Sequence, residues 1–259
     1  MTEIDRLIAI MSRLRNPDGG CPWDLAQDFA SIVPHTLEEA YEVADAIAGG
    51  DRQQIRDELG DLLFQVVFYA QLGKEEGAFD FDAVAKAISD KLVRRHPHVF
   101  GELNEADGER LKANWEAIKA EERQDKGLGD SVLSDVPLAL PALSRSVKLQ
   151  KRAARVGFEW DELAPVFAKI QEEIAEVQVE VAAQDQAKLE EEMGDLLFAV
   201  SNLARHLKVD PEAALRLANQ KFERRFRAIE QRVAAAGEDL ASQGLDKLEA
   251  HWQAVKADE

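Results

Sequence analysis

The segment Glu58-Leu-Gly-Asp61-Leu-Leu-Phe64 returns 134 residues later as Glu192-Met-Gly-Asp195-Leu-Leu-Phe198. The same offset carries Glu38-Glu39-Ala-Tyr-Glu42 onto Glu172-Glu173-Ile-Ala-Glu176. Further pairs keep the order: Trp23-Asp24 with Trp160-Asp161, Lys91-Leu-Val-Arg94-Arg95 with Lys221-Phe-Glu-Arg224-Arg225, and Trp115-Glu-Ala-Ile-Lys119 with Trp252-Gln-Ala-Val-Lys256. Motifs recurring in one order mark an internal duplication, and two copies are too few for a solenoid. Two related domains are expected, residues 1–124 and 141–259. The linker over 125–140 is marked by Gly127, Gly129, Pro137 and the flanking Pro141.

Each copy is patterned for helices. Apolar residues recur at helical spacing and predict helices near 3–15, 35–48, 51–73, 80–95 and 107–124. A second set is predicted near 138–154, 162–182, 185–207, 211–236 and 244–257. Threonine occurs only at Thr2 and Thr36, so strands are poorly supplied, and a hydrophobic content of 46% is ample for packed cores. The expectation is an all-α protein. Its net charge of −18 argues against a general nucleic-acid binder, which needs a basic surface to displace counterions from phosphates. Cys21 is the sole cysteine, so no intrachain disulfide forms and a reducing cytoplasm is expected. The first residues are acidic where a signal peptide needs bases, and the apolar window from Leu62 to Ala70 is interrupted by Gln65 and too short to span a bilayer.

The acids carry the chemistry. In each half E-x-x-E is followed by E-x-x-D, and a spacing of three puts both acids of a motif on one helix face. Glu42 with Glu58, and Glu39 with Asp61, are both centred on residue 50, where Gly49-Gly50-Asp51 reads as a glycine C-cap followed by an aspartate N-cap. Glu176 with Glu192, and Glu173 with Asp195, are likewise centred on residue 184. Residues equidistant from a tight turn lie at equal height on two antiparallel helices. Each hairpin can therefore gather four carboxylates.

Ionised carboxylates at close quarters raise one another's pKa unless a cation compensates, and an all-oxygen set selects Mg²⁺, Mn²⁺ or Ca²⁺. Solvated acids on helix faces are the bland alternative, and two mirrored sets weigh against it. A di-iron bundle wants Glu-x-x-His pairs, and no histidine stands at that step from the motif acids. His96-Pro97-His98 reads as a helix end and Cys21-Pro22-Trp23 as a packed turn, while Walker loops and Gly-rich nucleotide fingerprints are missing. Mg²⁺ habitually joins carboxylates to phosphate oxygens, which suggests a polyphosphate ligand. Lys188, Lys221, Arg225 and Lys256 are candidates for its tail, and Trp252 offers a face to a base.

At Gly20-Cys-Pro-Trp-Asp24, Thr36-Leu-Glu-Glu-Ala-Tyr-Glu42, Glu58 to Phe64, Arg94-Arg-His-Pro-His-Val-Phe100 and Lys188-Leu-Glu-Glu-Glu-Met-Gly-Asp195 the chain closely resembles the MazG family of nucleoside triphosphate pyrophosphohydrolases, in the all-α NTP pyrophosphatase group. The resemblance spans nearly the whole chain. It implies four-helix-bundle-like modules completed by homodimerisation, Mg²⁺-dependent hydrolysis of nucleoside triphosphates to monophosphate and pyrophosphate, broad base tolerance, and a housecleaning role. It also implies that the C-terminal half is catalytic, with Glu173, Glu176, Glu192 and Asp195 as metal ligands and Lys188, Lys221, Arg225, Trp252 and Lys256 as nucleotide contacts. Glu172 or Glu191 would then orient the attacking water or take its proton. The first half keeps Glu39, Glu42, Glu58 and Asp61 and can form a second metal site. It has Gln54 where the second half has Lys188, and Arg56-Asp57 where the second has Glu190-Glu191, so a structural or regulatory role is expected there.

Overall fold

In the computed structural model the described residues are 1–101 and 131–259, and their regular structure is entirely helical. The helix expected near 107–124, with Trp115 and Lys119, lies outside them. The chain divides into two compact units, Met1–Ala120 and Glu121–Glu259.

In the first unit, α1 (Glu3–Leu14) begins at a capping box in which Thr2 N–H donates to Asp5 Oδ2 at 2.7 Å and Asp5 N–H to Thr2 Oγ1 at 3.2 Å. A short helix α2 (Pro22–Leu25) follows, then α3 (Phe29–Gly49), α4 (Arg52–Glu75), α5 (Phe81–Arg95) and the short α6 (Pro97–Phe100). Helix α3 starts well before residue 35, contrary to the sequence expectation. Asp28 and Ser31 cap it reciprocally, and Pro34 is tolerated inside the helix at the loss of one backbone hydrogen bond. Ile4, Leu7, Ile8 and Met11 form the apolar stripe of α1 and pack with Ile32, Val67, Phe68 and Leu72 of α3 and α4. Phe79 lies so close to Gly73 that a Cβ there would stand 2.6 Å from its ring, so a larger residue would have to displace that ring.

The second unit contains α7 (Ala142–Ala154), α8 (Leu163–Ala183), α9 (Gln186–His206), α10 (Pro211–Ala235) and α11 (Leu245–Ala257), with a 3₁₀ turn at Leu240–Ser242. Pro141, in extended backbone, delays α7 to Ala142 rather than residue 138. Residues ahead of α7 are tied to it, since Arg152 Nη1 donates to the carbonyl of Ser134 at 2.9 Å and Val136 is buried. A buried polar contact joins α7 to α9: Ser146 Oγ donates to Ser201 Oγ at 2.5 Å, and Gln150 Nε2 to the Phe198 carbonyl at 2.9 Å. Ile229, Val233 and Val255 centre an apolar cluster of α10 and α11. Among the described residues no helix is long and apolar enough to cross a membrane.

Candidate metal and nucleotide site

The paired helices α3–α4 and α8–α9 are antiparallel hairpins whose apices follow the symmetry read from the sequence. Gly50 turns the first in left-handed backbone, and Asp51 caps α4 by accepting from Gln53 N–H at 2.8 Å. Gln184 takes the left-handed position in the second, and Asp185 caps α9 by accepting from Lys188 N–H at 3.2 Å. Carboxylate oxygens of Glu39, Glu58 and Asp61 lie within 4.8 Å of one another, as do those of Glu173, Glu176 and Glu192. The fourth motif acids stand close by: Glu42 acts electrostatically on Glu39, and Asp195 on Glu192.

The electrostatics show the strain of this crowding. Burial, then the charges of Asp61 and Glu42, push the Glu39 carboxyl above its usual range. Glu176 is pushed up chiefly by a hydrogen bond with Glu173, and Glu192 by desolvation followed by the charges of Asp195 and Glu173. Glu173 is only 4% exposed, and its Oε2 has no hydrogen-bond partner. An orphaned buried carboxylate oxygen among all-oxygen donors fits a hard divalent cation. Both acid sets fit such an ion chemically, and the second contains the deeper acid.

A cavity of about 700 Å³ opens beside Glu173 and Asp195. Leu149, Phe158, Trp160 and Phe198 give it apolar walls, and Asn202 and Arg205 of α9 supply polar groups. Arg205 Nη1 pairs with Glu159 Oε1 at 2.6 Å, while its Nε and Nη2 donate to Asn202 Oδ1 at 3.1 and 2.9 Å. The sequence reading missed this cavity. Its signal was Asn202, two turns after Asp195 on the same helix face. The first half differs at that position: the equivalent of Asn202 is Phe68, fully buried in the core, with the Arg15 guanidinium 5.2 Å from its ring centre.

The expected tail-binding residues fall into two groups. Arg225 lies 5.5 Å from the Trp252 ring and pairs with Glu259 at 2.5 Å, and Phe222 packs on Trp252 at 5.5 Å. No described contact joins that cluster to the acid trio. Lys188, Lys221 and Lys256 form no ion pair among the described residues, and Lys188 sits in the first turn of α9. Glu172 pairs with Lys169 at 2.7 Å, whereas Glu191 is exposed.

Tandem helical hairpins that each gather carboxylates able to hold a metal ion, one set beside an apolar cavity, define the all-helical class of this protein. The model of the MazG nucleotide pyrophosphohydrolase domain matches residues 27–100 and 163–229. The chain is 58% identical over 261 residues to an Escherichia coli protein named nucleoside triphosphate pyrophosphohydrolase, covering 100% of this chain and 99% of that one. It is 42% identical over 252 residues to the nucleoside triphosphate pyrophosphohydrolase/pyrophosphatase MazG of Thermotoga maritima, covering 97% and 95%. The uncharacterized protein YabN of Bacillus subtilis is 43% identical over 258 residues, which cover 99% of this chain and 52% of YabN. The chain belongs to the MazG family.

Proposed function

We propose that this protein hydrolyses nucleoside triphosphates to the nucleoside monophosphate and pyrophosphate in its second half, with Mg²⁺ or, in its place, Mn²⁺. The observation that carries this reading is the Glu173, Glu176 and Glu192 cluster beside the cavity that Asp195 also lines. Glu173, Glu176, Glu192 and Asp195 hold the ion. Bound there, a divalent ion supplies positive charge to the phosphate oxygens and makes water a better nucleophile. The cavity takes the base, with Asn202 oriented by Arg205. Mostly apolar walls discriminate weakly between bases, which supports broad specificity. Lys188, Lys221, Arg225, Trp252 and Lys256 are assigned to the nucleotide.

In the reaction the water oxygen bonds to the α-phosphorus, the α–β bridging P–O bond breaks, and pyrophosphate leaves. Glu172 or Glu191 takes the water proton. The first half, with Glu39, Glu42, Glu58 and Asp61 as a second cation site, is structural or regulatory; Phe68 fills the position that Asn202 occupies beside the cavity in the second half. The lone thiol of Cys21 supports a reducing, cytoplasmic location as part of the same proposal.

A homodimer belongs to this reading too. Leu59, Leu63 and Val66 form an exposed apolar stripe on α4, and their equivalents Met193, Leu197 and Val200 form one on α9. Beside these stripes, Gly60 and Gly194 sit inside helices, where glycine costs about 1 kcal/mol relative to alanine. A Cβ at either would meet nothing within 4 Å among the described residues. Close approach of a second copy accounts for both features.

The test is incubation of the purified protein with mixed ribo- and deoxyribonucleoside triphosphates and Mg²⁺. Monophosphate and pyrophosphate in equal amounts are expected. Early release of orthophosphate, or binding without turnover, would overturn the reading.

A further inference from the structure

The buried acid of the second hairpin already faces a cation from its own chain. Lys169 Nζ lies 2.7 Å from Glu172 Oε1 and 2.7 Å from Glu173 Oε1. Its side chain is 36% exposed and also lines the cavity, so a flexible stem carries the ammonium between Glu173 and the space where a ligand would sit. Divalent ions bind carboxylate oxygens at about 2.0–2.6 Å. An ion on Glu173 would therefore lie within a few ångströms of Nζ, and the two positive charges repel.

The first half lacks this arrangement. The residue equivalent to Lys169 is His35, whose Nδ1 stands 3.8 Å from Glu38 Oε2, the counterpart of Glu172. The first acid set therefore has an imidazole where the second has a lysine ammonium.

We infer that Lys169 is a positioning residue that makes cation and nucleotide binding mutually dependent. It holds the charge of Glu173 until a substrate phosphate offers its ammonium another anionic partner. Moving to the phosphate, Lys169 releases a Glu173 oxygen to the ion and removes the repulsion. The coupling is reciprocal, as linkage requires: whatever draws the ammonium off Glu173 favours the ion, and the ion favours a ligand that takes the ammonium. This rests on the proposed function and adds a specific device to it.

The test is calorimetric titration with Mn²⁺ alone, in a Glu58→Gln background that weakens the first acid set. Lys169→Gln and Lys169→Met are compared with their parent, with helix content checked by circular dichroism, and Lys169→Arg retains the charge. Removing the ammonium should tighten Mn²⁺ binding about tenfold while weakening ATP binding measured in EDTA, and Lys169→Arg should return Mn²⁺ affinity toward that of the parent. Equal or weaker Mn²⁺ binding by both Lys169→Gln and Lys169→Met, with turnover by the parent intact, overturns the role of Lys169 alone. A parent that neither binds Mn²⁺ nor turns over ATP with Mg²⁺ overturns the proposed function, and this inference with it.

Discussion

Gly50 and Gln184 hold the same left-handed position at the apices of the two hairpins, with φ of 77° and 56°. Glycine adopts that backbone freely, whereas a residue with a Cβ is strained there by roughly 1 kcal/mol. Gln184→Gly should therefore stabilise the second unit by roughly 1 kcal/mol, and Gly50→Ala should destabilise the first by about as much. Thermal denaturation followed by circular dichroism reads both. A Gln184→Gly variant that melts earlier would contradict the assignment.

Replacing Glu192 and Glu58 separately by glutamine tests the division of labour. Each change removes one charge from an acid trio. Glu192→Gln is expected to lower kcat by about 10²–10³-fold, the range seen when one element of transition-state charge stabilisation is lost. Glu58→Gln should leave kcat within about threefold, since in the first half buried Phe68 fills the position that Asn202 holds beside the cavity of the second. Equal losses would place catalysis in both halves.

The pH dependence of cation stabilisation follows from the raised carboxyls. Glu39, Glu176 and Glu192 hold their protons more firmly in the folded chain than in the unfolded one. Their ionisation therefore costs stability as pH rises through the folded values, above the ordinary range near about 4.3. Mg²⁺ should raise the melting temperature by several degrees at pH 7.5 and progressively less as the pH falls into the carboxylate range, because a protonated carboxyl offers the ion no charge. A shift independent of pH would show that the ion binds elsewhere.

Arg15 anchors the first unit from within. Its Nη2 pairs with Glu75 Oε2 at 2.7 Å, its Nη1 donates to the Asp24 and Gln27 carbonyls, and it is 7% exposed. Arg15→Ala leaves those acceptors without their partner and should destabilise the unit by about 2–4 kcal/mol, measured by urea denaturation. The guanidinium also holds the Glu75 carboxyl below its usual range. Stability from that pair is present above the ordinary carboxylate pKa and is lost as pH falls through the lowered value, the reverse of the acid trios.

The exposed stripes give a prediction about assembly. Leu197→Asp puts a charge on the face of α9 that the chain itself leaves half exposed, so the fold should survive. Sedimentation velocity should show a dimer for the parent and a shift toward monomer for the variant. A variant of unchanged mass would remove this stripe from the interface.

Spacing alone fixed the duplication, the all-helical class and the two hairpin apices, because helical rise converts sequence distance directly into height along an axis. That is why Glu39 meets Asp61, and Glu176 meets Glu192, across their hairpins. Tertiary packing decided what those acids experience. Period and register say which way a side chain points along its own helix, not what arrives from the others. Glu173 is sealed against Lys169, and Asn202 faces a cavity where the equivalent Phe68 is packed into core. Burial sets the local dielectric, and neighbouring helices set the shape and charge of the space. Both depend on contacts between segments far apart in the chain, which local pattern does not encode.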